Sequence, residues 1–299
     1  MSIKTRKIHW PIIEPKKSAF AIETPPDINK LHCLMLLSGK RGGGKSVAVT
    51  SYVKKLRDLD LMQRTLLITP TYNSNKEIFA PLNLGSEDVL EPTLDVLKRV
   101  ISIVEEEKKE YDEYWDKVKK YKQFKKYIDE NIPIEGIPHQ LLFSLMDSDF
   151  EPPKYKYPSC VGGMIPPHPP RLFLIIDDCM GTDLFKPRGG LINFCIKHRH
   201  IADGLGISVA MLVQSYCAIG GVPRPIRENC TCLCLFKSAA QHGAQLEKIH
   251  SEIGTDINLE KFDKLFSYAT SKPFGFLFVD FNPKQKDKQF RSSFDEYLS

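Results

Sequence analysis

The stretch Gly39-Lys40-Arg41-Gly42-Gly43-Gly44-Lys45-Ser46 constrains this chain more than any other. It follows a run of mostly apolar residues, 31–37 (LHCLMLL), that reads as a strand buried on both faces. After it, Val49, Tyr52, Val53 and Leu56 recur at helical spacing. Glycines at such a strand-to-helix turn let the backbone curl with several N–H groups pointing inward, a conformation that side chains would obstruct. The pattern G-x-x-x-x-G-K-[ST] in this context cradles nucleotide phosphates. The helix N-terminus adds partial positive charge, Lys45 can reach the β and γ phosphates, and the Ser46 hydroxyl can ligate Mg²⁺. All eight residues from Gly39 to Ser46 are candidate nucleotide contacts.

Further short apolar runs at 65–69 (TLLIT), 172–176 (LFLII), 207–213 (ISVAMLV), 231–237 and 273–281 read as strands, with Gly275 suggesting an edge position for the last. Helical patterns, one at 193–199, alternate with them, so the chain is expected to be α/β with a largely parallel central sheet flanked by helices. Ligands of such sheets gather at the carboxyl ends of strands, where this sequence places Asp177, Asp178 and Gln214. Asp177 would hold Mg²⁺ through water or Ser46, and Asp178 would polarise the attacking water as general base. Gln214 would hydrogen-bond the γ phosphate or that water.

Composition bounds the rest. At 42% hydrophobic and 26% charged residues the chain is ordinary globular material. No apolar run reaches membrane-spanning length, and charges and prolines occupy the N-terminus where a signal peptide needs an apolar core. A non-secreted protein with no membrane partner is expected. The eight cysteines read as buried thiols, with Cys230, Cys232 and Cys234 expected on one face of a strand. A net charge of +5 permits a polyanionic partner without demanding one. Residues 1–30 read as a basic arm and 31–299 as one nucleotide-binding domain. Within that domain, 97–130 reads as a charged helical insertion, acidic residues first and lysines after, and 151–170 as a proline-rich linker.

The series formed by Gly39 to Ser46, LFLII-Asp177-Asp178, a basic-rich helix ending in Arg199-His200, ISVAMLV-Gln214 and Pro223-x-x-Ile226-Arg227-x-Asn229 resembles the FtsK and HerA superfamily of P-loop ATPases. Within it, the chain looks like the genome-packaging ATPases of poxviruses and giant DNA viruses. The resemblance implies a RecA-like sheet of the additional-strand type, ATP and Mg²⁺ as cofactors, and a homo-oligomeric ring around double-stranded DNA. It also implies a capsid or portal-vertex partner and a place in the host cytoplasm or viral factory. Hydrolysis shared between neighbours needs a cation supplied in trans. Arg199 is the favoured candidate, with Arg227 second and Arg224 a weaker third. Many relatives carry Glu after the magnesium-binding Asp, whereas this chain has Asp178, one methylene shorter. Two other functional classes share the loop: a small-molecule kinase or GTPase, and a nucleotide-switched capsid assembly factor that moves no DNA. No Asn-Lys-x-Asp guanine motif occurs, which weakens the GTPase version.

Overall fold

The computed structural model describes residues 22–157, 168–186, 189–217, 221–237 and 243–299. Six strands run parallel: β1 (Leu34–Ser38), β2 (Arg64–Ile68), β3 (Val89–Leu90), β4 (Leu172–Asp177), β5 (Ser208–Val213) and β6 (Cys232–Phe236). Three more, β7 (Phe276–Asp280), β8 (Phe290–Ser292) and β9 (Glu296–Leu298), continue the sheet antiparallel. The order across it is β3-β2-β4-β5-β1-β6-β7-β8-β9. β5 therefore stands between the strand that leads into the glycine loop and the strand that ends in Asp177, which is the additional-strand arrangement.

The helices are α1 (Lys45–Asp58), α2 (Tyr72–Phe79), α3 (Val96–Asp129), α4 (His139–Met146), α5 (Leu191–Lys197), α6 (Arg224–Glu228), α7 (Gly243–Ile253) and α8 (Leu259–Ala269). Alternate strand residues enter opposite layers, as the two-residue period of a strand requires. Leu34 and Leu36 join an apolar cluster with residues of α3, α5, α7 and α8, while Met35 and Leu37 join a second with Val49, Val53 and Leu56 of α1.

Several expectations are corrected. Residues 97–130 belong to one helix, but its first half is core: Val96, Leu97, Val100, Ile103 and Val104 pack into the first cluster. The described part of 151–170 is tied down at one end, because Lys156 Nζ and Tyr157 Oη both donate to the buried Glu107 carboxylate of α3, at 2.8 and 2.9 Å. Arg64 Nη1 meets the same oxygen at 2.9 Å. Residues 158–167 lie outside the described set, as do 1–21 of the expected arm. The remainder of that arm joins the domain: Ile28 and Asn29 are buried, and Arg291 Nη1 donates to the Asp27 carbonyl at 2.5 Å. β7 is an interior strand paired on both sides, and Gly275 precedes it; a Cβ there would meet the Ala269 carbonyl at 2.5 Å. Cys230 precedes β6 and faces the first cluster, whereas Cys232 and Cys234 face the second. Among the described residues, no helix is long and apolar enough to cross a membrane.

His198 follows α5, and its Nδ1 lies 2.7 Å from the Ile207 carbonyl at the start of β5. A carbonyl only accepts, so Nδ1 carries the proton. Burial lowers the His198 pKa to about 4, with the Ile207 bond opposing and Arg199 and His200 reinforcing the shift. His32 is likewise lowered to about 4 by burial, with His198 and Arg171 contributing. A histidine whose folded pKa lies below its unfolded value favours unfolding as pH falls between the two. Stability should therefore fall from about pH 6.5 to about pH 4. His198→Asn, whose amide can reach the same carbonyl, should flatten that fall, by up to about 3 kcal/mol at the acid end. Melting temperature against pH for both proteins checks it, and identical slopes would refute the assignment to His198.

Candidate nucleotide site

The loop forms because two glycines take a conformation that side chains resist. Gly42 and Gly44 have φ of 75° and 93°, and Gly44 directly precedes α1. Two backbone bonds fix the loop to the scaffold: Gly39 N donates to Val213 O of β5 at 3.1 Å, and Ala48 N to Gly44 O at 2.9 Å. The N–H groups of the first turn of α1 thus open onto the loop, with the positive end of a 14-residue helix behind them.

Lys45 folds back over the loop, donating from Nζ to the carbonyls of Gly39 at 2.7 Å and Lys40 at 3.0 Å. Partial burial lowers its pKa, and the fields of Asp177 and Asp178 oppose that shift. Ser46 Oγ donates to Asp177 Oδ2 at 3.2 Å, so the loop hydroxyl and the strand-end carboxylate meet across β5. Asp177 is buried, which raises its pKa; the Ser46 hydrogen bond and Lys45 pull it down while Asp178 pushes it up. A buried carboxylate beside a hydroxyl, with only partial compensation from Lys45, suits a hard cation with oxygen ligands. Ser46 and Asp177 are therefore the residues that would hold Mg²⁺.

Asp178 departs from the strand with φ of 52°, which turns its carboxylate out to the exposed side of the site. Gln214 Nε2, at the end of β5, donates to Asp178 Oδ1 at 3.5 Å, the far limit of a hydrogen bond. The following turn is held by Cys179, whose thiol reaches Asp177 O at 3.2 Å and Ile68 O at 3.5 Å. Met180 Sδ accepts from Gln214 N at 3.4 Å. These three sulfur contacts were not visible in the sequence, where Cys179 reads only as a buried thiol and Met180 is not singled out.

The structure brings Lys45, Ser46, Asp177, Asp178 and Gln214 together at one end of the sheet and places the arginines elsewhere. Arg199 stands with His32 and Thr231 around a groove at the opposite, amino-terminal edge of the parallel strands. It follows α5, which ends at Lys197, rather than lying within the helix. Arg227 is clamped: Nε and Nη2 each donate to Glu252 at 2.9 Å, Nη1 donates to Val222 O at 2.6 Å, and its guanidinium lies 5.3 Å from the Tyr216 ring centroid. Its side chain is 9% exposed. Arg224 is exposed and pairs with Glu228 at 2.7 Å. A further residue that the sequence did not single out is Phe274, which sits against the loop on the β7 side. A Cβ on Gly44 would come within 3.1 Å of it.

The glycine loop, the loop lysine, the hydroxyl facing a strand-end aspartate and the intervening β5 define a nucleotide-binding fold of the P-loop, additional-strand class. No protein-family model and no curated protein matches the chain. Among solved structures it is similar to ATPases 2 and 3 of EssC from Geobacillus thermodenitrificans, at 12% identity and a TM-score of 0.40, over 87% of this chain and 39% of that one. The genome packaging NTPase B204 from Sulfolobus turreted icosahedral virus 2 is similar at 11% identity and a TM-score of 0.43, over 87% of this chain and 94% of that one. The conjugation coupling protein TcpA of pCW3 is similar at 14% identity and a TM-score of 0.32, over 68% and 48%.

Asp177→Asn keeps the shape and the Ser46 contact while removing a buried charge. In the absence of Mg²⁺ the variant should melt roughly 2 °C or more above the parent. A variant less stable than the parent in EDTA would show that the carboxylate is already satisfied without a cation.

Proposed function

We propose that the protein is a Mg²⁺-dependent ATPase that works as a homo-oligomeric ring and translocates double-stranded DNA, packaging a genome into a capsid. The observation that carries the hydrolytic part is the convergence of Lys45 and Ser46, at the start of α1, with Asp177, Asp178 and Gln214, at the ends of β4 and β5, on one loop. The order of motifs along the chain, ending in the Gln214 strand and the 223–229 segment, supports the motor part.

Each residue has a chemical task. Lys45 exchanges two loop carbonyls for phosphate oxygens and stabilises charge that develops on them. Ser46 and Asp177 would hold the metal, which would supply Lewis-acid charge neutralisation when bound. Asp178, exposed and turned outward, accepts the proton of the attacking water, and the Gln214 amide orients that water from the adjoining strand end. Arg199, at the far edge of the sheet from its own loop, can serve hydrolysis only in a neighbouring subunit's site.

DNA binding by such a motor rests on phosphate contacts and weakens steeply with salt. Steady-state ATPase should rise on addition of double-stranded DNA, and the stimulation should fade as salt is raised. Lys45→Ala, the blank, should be inactive. Arg199→Ala subunits mixed with wild type should lower activity more than in proportion to their share. Hydrolysis indifferent to DNA at every salt concentration would remove translocation from the assignment, and simple dilution by the Arg199 variant would remove action in trans.

A further inference from the structure

Residues 272–275 form a turn closed by Gly275 N donating to Lys272 O at 3.1 Å. Pro273 occupies its second position and Phe274 its third, with φ of 62° at Phe274. A left-handed third position is where such a turn ordinarily carries glycine, and a bulky side chain there is strained. The ring gains no burial in exchange, since Phe274 is 70% exposed. A strained, exposed aromatic ring is unfavourable for the folded chain by itself, and strain of this kind gathers at binding sites.

Its position gives it a use. Phe274 lies against Gly44 at the loop, and β7, which it precedes, pairs with β6 on the far side of β1 from β5 and β4. A nucleoside triphosphate is a linear molecule with phosphate at one end and base at the other. Asp177, Asp178 and Gln214 fix the γ-phosphate end on the β5 and β4 side, so the sugar and base must leave the loop on the β6 and β7 side. Val47, three residues beyond Gly44 and so on the same side of α1, is also an exposed apolar residue, at 55%.

We infer that Phe274 is the stacking platform for the nucleobase, held in a left-handed turn so that its ring projects beside the phosphate loop. This rests on the ATP-binding reading of the same site and adds to it the residue that grips the base. Stacking of a base on an aromatic ring is a substantial and sequence-tolerant contribution to affinity.

The test is isothermal titration of the full chain with Mg-ATP and with Mg-tripolyphosphate, which presents the phosphates without a base. Phe274→Gly should weaken ATP binding about tenfold. It should leave tripolyphosphate binding unchanged and, by relieving the left-handed strain, raise the melting temperature by roughly 2 °C. Phe274→Trp should restore ATP affinity to at least the parental value. Equal ATP affinity in parent and glycine variant would overturn the inference, as would equal losses for both ligands, which would make Phe274 a support of the loop instead. Failure of the parent to bind either ligand would reject the nucleotide reading itself, a result separate from either of those.

Discussion

The register among β1, β5 and β4 fixes everything at the candidate site. Ser38 of β1 lies opposite Val213 of β5, and Asp177 of β4 lies opposite Leu212, so the three strands end within one residue of one another. The glycine loop, Gln214 and Asp178 consequently leave the sheet at the same height. A slip of one residue would exchange the faces of every side chain on a strand. Leu34 and Leu36 fill one apolar layer and Met35 and Leu37 the other, so a slipped β1 would misfit on both sides at once. The Ser46 to Asp177 contact, which spans an entire intervening strand, is as exact as that packing.

What was legible in the sequence is what is contiguous. The eight-residue loop announced itself because its chemistry is written in neighbouring residues and its flanks carry strand and helix signals. Asp177 and Gln214 were legible because each ends an unbroken apolar run. Residues whose meaning depends on a distant partner were not. Arg227 reads as a candidate cation for a neighbouring site until Glu252, from α7, is seen to take two of its donors, and Arg227 in return lowers the Glu252 pKa. Glu107 reads as one acid in a charge run, yet it is the buried anchor between β2, α3 and Lys156. α3 looked like an insertion because its polar second half outweighs the apolar first half that sits in the core. Phe274 falls in an unremarkable apolar stretch, and only its backbone angle reveals that the turn required something smaller.

The two edges of the sheet carry different kinds of positive charge. At the carboxyl edge, Lys45 is drawn inward and faces two aspartates; at the amino edge, Arg199 is exposed above two histidines that burial holds neutral. Neutral His32 and His198 spare Arg199 the repulsion of two adjacent cations. Among the described residues no hydrogen bond or ion pair holds the Arg199 guanidinium, which faces outward. Arg227 would first have to give up its paired carboxylate.

The same contrast governs the loop itself. Its shape is held by the Val213 carbonyl and the first turn of α1. The side chains within it are in the opposite condition. Among the described residues Lys45 donates to two loop carbonyls, Asp177 is buried with a hydroxyl and a backbone donor and the field of the Lys45 ammonium, and Phe274 is strained and exposed. Each of these penalties is small beside the apolar burial of a nine-stranded sheet, so the core can sustain all three. On the proposed reading each would be relieved by a different part of one molecule: the β and γ phosphates at Lys45, their metal at Asp177, and the base at Phe274. A scaffold of that kind would select a ligand long enough to reach all three, which phosphate alone is not.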